Sequence, residues 1–211
     1  MTPFDALPTN ICEQPAAQRR TIDAAESDRL FHRLFDVGRG NATDSATKMR
    51  VGEILNMVLP ENWEAGTAKK SGAAIFNEVH APEHYNVQIN FSYRGNRVSD
   101  DGAASFRSVL YKDSPHDLST LEISSLREVL GDQADPKRFA TETAKTKDIN
   151  GKRCLVVTGQ YLTNPQKIER IYIDRDGSGS AVEELSYTAP KSDFQKYLQC
   201  WRQSADSIIW K

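Results

Sequence analysis

The chain has 211 residues, enough for one well-cored domain with an N-terminal extension and few for two independent ones. Its 27 basic and 29 acidic residues leave a formal charge of -2, so it has no general attraction for a phosphate backbone or an anionic lipid surface, which argues against a dedicated nucleic-acid binder. Its apolar runs fall far short of the ~20 residues that cross a bilayer, and nothing after Met1 resembles the apolar centre of a signal peptide, so the chain is expected to be soluble and not membrane-spanning.

Residues 1–20 carry Pro3, Pro8 and Pro15 among small and polar residues and read as an irregular tail. From Asp23 to Asp36 the spacing of Leu30, Phe31, Leu34 and Phe35 predicts a helix, with Gly38 and Gly40 as its stop. The small, polar run 41–47 then serves as a linker. These residues, 1–47, form the expected N-terminal tail and helix, and the main domain is expected over 48–211.

From Met49 the pattern turns to strand, with Val51, Leu55, Met57 and Leu59 on one side before a turn at Leu59-Pro60-Glu61-Asn62-Trp63. Tyr85, Val87, Ile89, Phe91 and Tyr93 alternate with Asn86, Gln88, Asn90 and Ser92, a period of two that predicts a strand with one apolar and one polar face. Helical spacing returns between Gly102 and Gly131, in Phe106, Val109 and Leu110 and then Leu118, Leu121, Leu126, Val129 and Leu130. Strands are predicted over 153–162, 168–174 and 182–188, with Asp176-Gly177-Ser178-Gly179 as a hairpin turn. A final helix is predicted over 192–209. Ser192 and Gln195 have capping-box spacing, and Phe194, Tyr197, Leu198, Trp201, Ala205, Ile208 and Ile209 form its buried stripe. The fold class is therefore α+β, an antiparallel sheet flanked by helices with the C-terminal helix packed on the sheet.

Each candidate for chemistry has a plainer explanation. Asp174-Arg175-Asp176-Gly177-Ser178-Gly179-Ser180 imitates the first half of a calcium loop, but position twelve is Leu185, with Glu183 and Glu184 only nearby, and the flanks read as strands. A glycine-rich hairpin is the better reading. His80 and His84 have the i, i+4 spacing of helical metal ligands, but Pro82 lies between them and the spacing supplies no third ligand, so they are read as residues of a solvent-facing loop. His32 and His116 suggest nothing further. Ser178 and Ser180 lack the nucleophile elbow, and neither a Walker loop nor a dinucleotide fingerprint is present. No catalytic, cofactor-binding or metal-binding residue is assigned and no cofactor is expected. Spatial pairs of carboxylates remain open to an enzyme reading.

Cys12, Cys154 and Cys200 are too few for a disulfide scaffold and lack zinc spacing. At ~100° per residue Cys200 lies about 120° from the centre of the helix stripe, within reach of a neighbouring element. A Cys154–Cys200 bridge would pin that helix to the sheet, a Cys12–Cys200 bridge would tie down the tail, and three separate thiols are the plainer alternative. The compartment decides which is formed. A periplasmic or secreted location is expected if a signal peptide was removed, and a cytoplasmic one otherwise.

The Leu59-Pro60-x-x-Trp63 step after a strand, the later hairpin, Tyr187-Thr188-Ala189-Pro190 followed by Phe194-x-x-Tyr197-Leu198, and Ser207-Ile208-Ile209-Trp210 together resemble the PsbP-like fold. The resemblance covers about residues 48–211 and rests on packing and turn positions, so no functional residue transfers with it. It implies a sheet flanked by helices and a role in binding: members of that family include a thylakoid-lumen photosystem assembly subunit, a Ran-binding nuclear-import protein, bacterial envelope lipoproteins and type VI secretion adaptors. The expectation is a bacterial, non-enzymatic factor whose partner is another protein, such as an envelope assembly factor or an immunity or adaptor protein for a secreted effector. Its alternatives are a hydrolase or small-ligand binder, and a calcium-dependent module. The loops 64–72 and 93–102 are the expected contact surface.

Overall fold

Val87, Ile89 and Phe91 recur every second residue, which gives their strand an apolar face that must be covered. In the computed structural model, which describes residues 48–65, 69–71, 74–93 and 98–211, that strand sits inside a large antiparallel sheet. In chain order the strands are β1 (Lys48–Val51), β2 (Ile54–Val58), β3 (Glu64–Ala65), β4 (Lys69–Ser71), β5 (Ala74–Ala81) and β6 (His84–Tyr93). Helices α1 (Asp100–Leu110), α2 (Thr120–Ser125) and α3 (Arg127–Leu130) follow, with a 3-10 turn at Gly131–Ala134. Then come β7 (Phe139–Ile149), β8 (Lys152–Tyr161), β9 (Gln166–Asp174), β10 (Val182–Pro190), helix α4 (Phe194–Asp206) and β11 (Ile209–Trp210).

The large sheet has the order β3-β5-β6-β10-β9-β8-β7, with β4 also paired to β5, while β1, β2 and β11 form a separate three-stranded sheet. Helices α1 to α3 carry the chain from β6 to the far edge at β7. The chain then returns strand by strand, so that β10 closes the sheet between β9 and β6. The edge strand β7 is partly capped by the segment before α2: the Leu118 amide donates to the Ala144 carbonyl at 2.8 Å and the Thr146 amide to the His116 carbonyl at 2.9 Å. That pairing removes open ladder groups of the kind that invite edge-to-edge association.

The sheet carries a core on each face. On the first, Val87, Ile89, Phe91, Val156, Ile171, Ile173, Leu185 and Tyr187 meet Phe194, Tyr197, Leu198 and Trp201 of α4 and Ile54 and Met57 of β2. Burying an aromatic side chain of this size stabilises the fold by roughly 1.5–3 kcal/mol, so α4 is an integral layer. A polar clamp fixes its rotation: Glu169 on β9 accepts from Trp201 Nε1 at 2.8 Å, from Arg202 Nε at 3.1 Å and from Thr158 Oγ1 at 3.0 Å. On the second face, Phe106, Val109, Leu110, Leu126, Val129 and Leu130 of the helices meet Phe139, Leu155, Val157, Ile168 and Tyr172.

Several expected elements differ in detail. The expected 49–59 strand is a hairpin, turned at Gly52 with φ 56°. A Cβ at that glycine would run into the Glu183 carboxylate and the Phe91 ring. Met57 and Leu59 are buried as expected, but Ile54 takes the buried place expected of Leu55. Tyr85 does not join the apolar face and is 68% exposed, because the β5–β6 register shifts between His80 and Ala81. Leu121 does not join a helical stripe either and is 83% exposed on α2. The Ser192–Gln195 capping box is not formed: α4 starts after Asp193 without a side-chain cap, and the Ser192 hydroxyl is turned to Asp193 Oδ2. Ile209 leaves the helix stripe for β11, where it is 52% exposed, whereas Ile208 is buried. Gly131 does end the helical region, with φ 58°. The expected helix over 23–36 lies outside the described residues.

Candidate functional site

The turn Asp174-Arg175-Asp176-Gly177-Ser178-Gly179-Ser180 joins β9 to β10 as a hairpin. Asp174 is 1% exposed, and its carboxylate accepts from the backbone amides of Gly177 and Gly179, each at 3.1 Å, and from the Tyr111 hydroxyl at 3.0 Å. Donors therefore converge on the oxygens that a cation would need. Burial and the neighbouring Asp174 carboxylate push the Tyr111 phenol up to about 12, so it stays a donor. Glu183 and Glu184 are no late ligands, since neighbours on a strand point to opposite faces. Glu183 accepts from the Glu53 amide at 2.8 Å, and Glu184 pairs with Arg170 on the other side. Asp176 Oδ1 and Ser178 complete an internal turn network.

His80 and His84 are strand residues and not loop residues. His80 is the penultimate residue of β5, is 8% exposed and packs against Tyr85 with ring centroids 4.6 Å apart, while His84 opens β6 with its ring 6.0 Å from Tyr197. They lie on different sides of the hairpin and do not share a ligand. Among the described residues no group of three or more His, Cys, Asp or Glu side chains is placed to hold a metal ion. Cys154 is a buried free thiol on β8, so the Cys154–Cys200 bridge is not formed. Its Sγ lies within the apolar cluster of the first face, 3.6 Å from the Lys152 carbonyl, and burial pushes its pKa up to about 12. Cys200 is buried on α4. The alternative Cys12 pairing and His32 fall outside the described residues. Of the loops expected to make contacts, residues 64–65 and 69–71 are the short strands β3 and β4.

His116 stands apart from the loops and termini expected to matter. Its Nε2 is 3.1 Å from Glu122 Oε1 and its Nδ1 3.1 Å from Thr146 Oγ1. Lys112, Asp113, Ser114 and His116 line an open cavity of about 510 Å³ beside it. Glu122 is committed elsewhere: it closes the capping box of α2 with Ser119 and pairs with Lys112, which together hold its pKa well below the ordinary carboxylate range. Thr146 is 2% exposed, so its hydroxyl faces protein and not the cavity.

The more extensive feature is the second face of the large sheet beyond the helices. Strand register places Arg170, Ser186, Asn90 and Glu78 in one row across β9, β10, β6 and β5, and Thr188, Gln88 and His80 in the next. The row on the other side contains Tyr172, Glu184 and Ser92. Helices α1 to α3 gather over β7, β8, β9 and Val182 at the start of β10, and among the described residues no apolar cluster covers the rest of β10, β6 and β5 on this face, although Glu184, Ser186 and His80 there are buried. At ~4.8 Å per strand and ~6.8 Å per row the patch is roughly 15 Å by 15–20 Å. The exposed Tyr85 ring stands at its end against His80. Gln88 Nε2 holds the Tyr85 carbonyl at 2.6 Å, which fixes the backbone under that ring.

Within the patch Arg170 Nη1 is 3.1 Å from Glu184 Oε2, and their side chains are 19% and 7% exposed. Burial works against the arginine's charge, but Tyr172 and Glu184 outweigh it and hold the pKa above the usual guanidinium value. The Tyr172 hydroxyl donates to Gln133 Oε1 at 2.7 Å, which joins the patch to the 3-10 turn after α3. The alternation of Gln88, Asn90 and Ser92 marks one strand's share of this face in the sequence. Arg170, Glu184 and Ser186 carry no such signal, because their strands are apolar on both sides of these positions.

No protein-family model matches the chain, and no curated protein matches it in sequence. The solution structure of cyanobacterial PsbP (CyanoP) from Synechocystis sp. PCC 6803 is similar in fold, with 10% identity, a TM-score of 0.49, and coverage of 83% of this chain and 99% of that one. The crystal structure of PA94, a protein of unknown function from Pseudomonas aeruginosa, is similar with 13% identity, a TM-score of 0.42, and coverage of 80% and 99%.

Proposed function

We propose that this chain is a non-enzymatic protein-binding factor that holds its partner on the polar face formed by β5, β6 and β10. The observation that carries this reading is the run of polar residues across three neighbouring strands, with Asn90 and Gln88 partly exposed and Ser186 between them. Small-molecule sites are concave and mostly apolar, whereas a polar sheet surface with an aromatic ring at its margin has the anatomy of a wet protein interface. The rim is completed by Tyr85 and the turn at Pro82 and Glu83. In a bacterial setting such a factor acts by occlusion or by holding, as an envelope assembly factor or as an immunity or adaptor protein for a secreted effector. A periplasmic or secreted location belongs to the same proposal.

The test is co-purification from the source organism's lysate and envelope fractions, with Asn90→Arg and Ser186→Arg as face variants and Lys137→Glu as a remote control. A stoichiometric partner retained by the wild type and the control, and lost in both face variants at unchanged circular dichroism, supports the reading. Retention by the face variants removes this surface from consideration.

A second reading, a hydrolase, takes its support from the Thr146–His116–Glu122 chain beside the cavity at Lys112. It ranks below the first because a threonine nucleophile has to reach its substrate, and Thr146 is enclosed. Turnover of an ester or amide library that vanishes in Thr146→Val and His116→Gln would reverse the ranking.

A further inference from the structure

The chain has three cysteines, Cys12, Cys154 and Cys200, and two of them are in opposite states. Cys154 is a free thiol inside the core of the first face, whereas Cys200 is disulfide-bonded. The surroundings of Cys200 show that its partner comes from outside that core. It lies ~120° round α4 from the centre of the stripe that meets the sheet, and it belongs to neither apolar cluster. Lys196 and Gln203, its neighbours on the outer helix surface, are exposed, yet Cys200 itself is only 3% exposed. Such cover at the outer edge of a helix calls for a further segment lying against it. A sulfur enclosed this deeply is out of reach of a second copy, so the bond is internal.

We propose that a Cys12–Cys200 disulfide staples the first residues of the chain to the outer flank of α4. The other end of that stretch is held nearby: Lys48 pairs with Val58 in the small sheet, whose Ile54 and Met57 join the core under α4. The staple closes nearly the whole chain into one loop, the case in which a bridge restricts the unfolded state most. Its formation is a thiol–disulfide exchange: the two Sγ atoms bond to each other, and the two electrons and two protons they give up reduce an external disulfide, of the glutathione or oxidoreductase class, to two thiols. The bridge therefore belongs to an oxidising compartment, and in a reducing one the same chain would carry three thiols. None of this depends on the binding reading, whose polar face lies on the other side of the sheet.

The test uses the full chain equilibrated with a glutathione redox couple, alkylated with iodoacetamide in urea without reductant, and digested with trypsin. The expected result is one linked species joining fragments 1–19 and 197–202, with the alkyl group on Cys154 in fragment 154–167. Reduction should lower Tm by roughly 5–15 °C. Cys12→Ser and Cys200→Ser should show the same loss and no longer respond to reductant, while Cys154→Ala keeps the response. Alkylation of all three cysteines in the oxidised protein would overturn the proposal. So would a link from fragment 154–167 to either of the others, or a dimer joined through fragment 197–202. Should Cys200→Ser fail to fold, the wild-type fragment map and Cys12→Ser decide the matter. An unchanged Tm in folded Cys12→Ser would show that the bond, even if it forms, does not staple the segment to the helix.

Discussion

The two faces of the large sheet solve opposite problems with the same strands. On β6, Val87, Ile89 and Phe91 are almost fully enclosed beneath α4, while Gln88, Asn90 and Ser92 on the reverse are only partly covered. On β10 the same alternation sets Leu185 and Tyr187 against Glu184 and Ser186. The first face derives its strength from apolar area and one polar clamp. On the second, Gln88, Asn90 and Ser92 of β6 stay partly exposed, while Glu184 and Ser186 of β10 are buried and Glu184 is paired with Arg170. The proposed binding role would place recognition one sheet's thickness away from the main source of stability.

Breaking the first face should give the largest effect. Trp201→Ala removes a ring with no solvent exposure that stacks on Tyr187 and donates to Glu169, and it is expected to cost about 3–5 kcal/mol in urea unfolding. Gly159→Val should follow, because even a Cβ at this site collides with the Ala140 carbonyl and the Phe139 ring. A loss of about 1–3 kcal/mol or more is expected, and an unchanged midpoint would show that β7 moves freely away from β8.

Glu169→Gln tests the polar clamp and should cost about 1.5–3 kcal/mol. Burial raises the carboxyl's pKa, but the bonds from Arg202, Trp201 and Thr158 outweigh it, so the folded value is depressed. Its stabilisation is therefore complete above the unfolded glutamate value of about 4.3 and is lost as pH falls through the folded value. Stability of Glu169→Gln measured from pH 6 to pH 2 should fall less steeply than that of the wild type, and parallel curves would disprove the assignment. The opposite face supplies the smallest effect: Asn90→Ser, at a partly exposed position, should change stability by no more than about 0.5 kcal/mol. A thiol probe sharpens the same contrast without mutation. Cys154, with its pKa pushed up to about 12 by burial, should resist iodoacetamide at pH 8 in the native protein and react once urea unfolds it.

Much of the first face was legible from the residues alone. The apolar alternation in 87–91 and the stripe Phe194, Tyr197, Leu198, Trp201 and Ala205 each follow from a single period, and the structure packs one against the other. Strand β7 was not legible: Ala140-Thr141-Glu142-Thr143-Ala144-Lys145-Thr146-Lys147 sits at an edge with a bulge between Thr141 and Thr143, so little of it has to be apolar. The Tyr85 error has a similar origin, since pattern counting is blind to the register shift that turns the ring outward. The second face was hidden for a different reason. The Arg170 and Glu184 pair joins strands β9 and β10 across the sheet, and only pairing reveals that the two belong to one surface.

Strand order also has a consequence in time. Strand β10 lies between β6 and β9, yet it is made after both, and Leu185 pairs with Phe91. At ordinary rates of translation the stretch from Tyr93 to Val182 takes roughly 5–20 s to appear. Throughout that interval β6 shows an apolar strand with a bare edge, and α4, which shields it, emerges later still. A nascent chain of this design needs a holdase or very rapid completion, and a ribosome stalled shortly before Val182 would leave an aggregation-prone product.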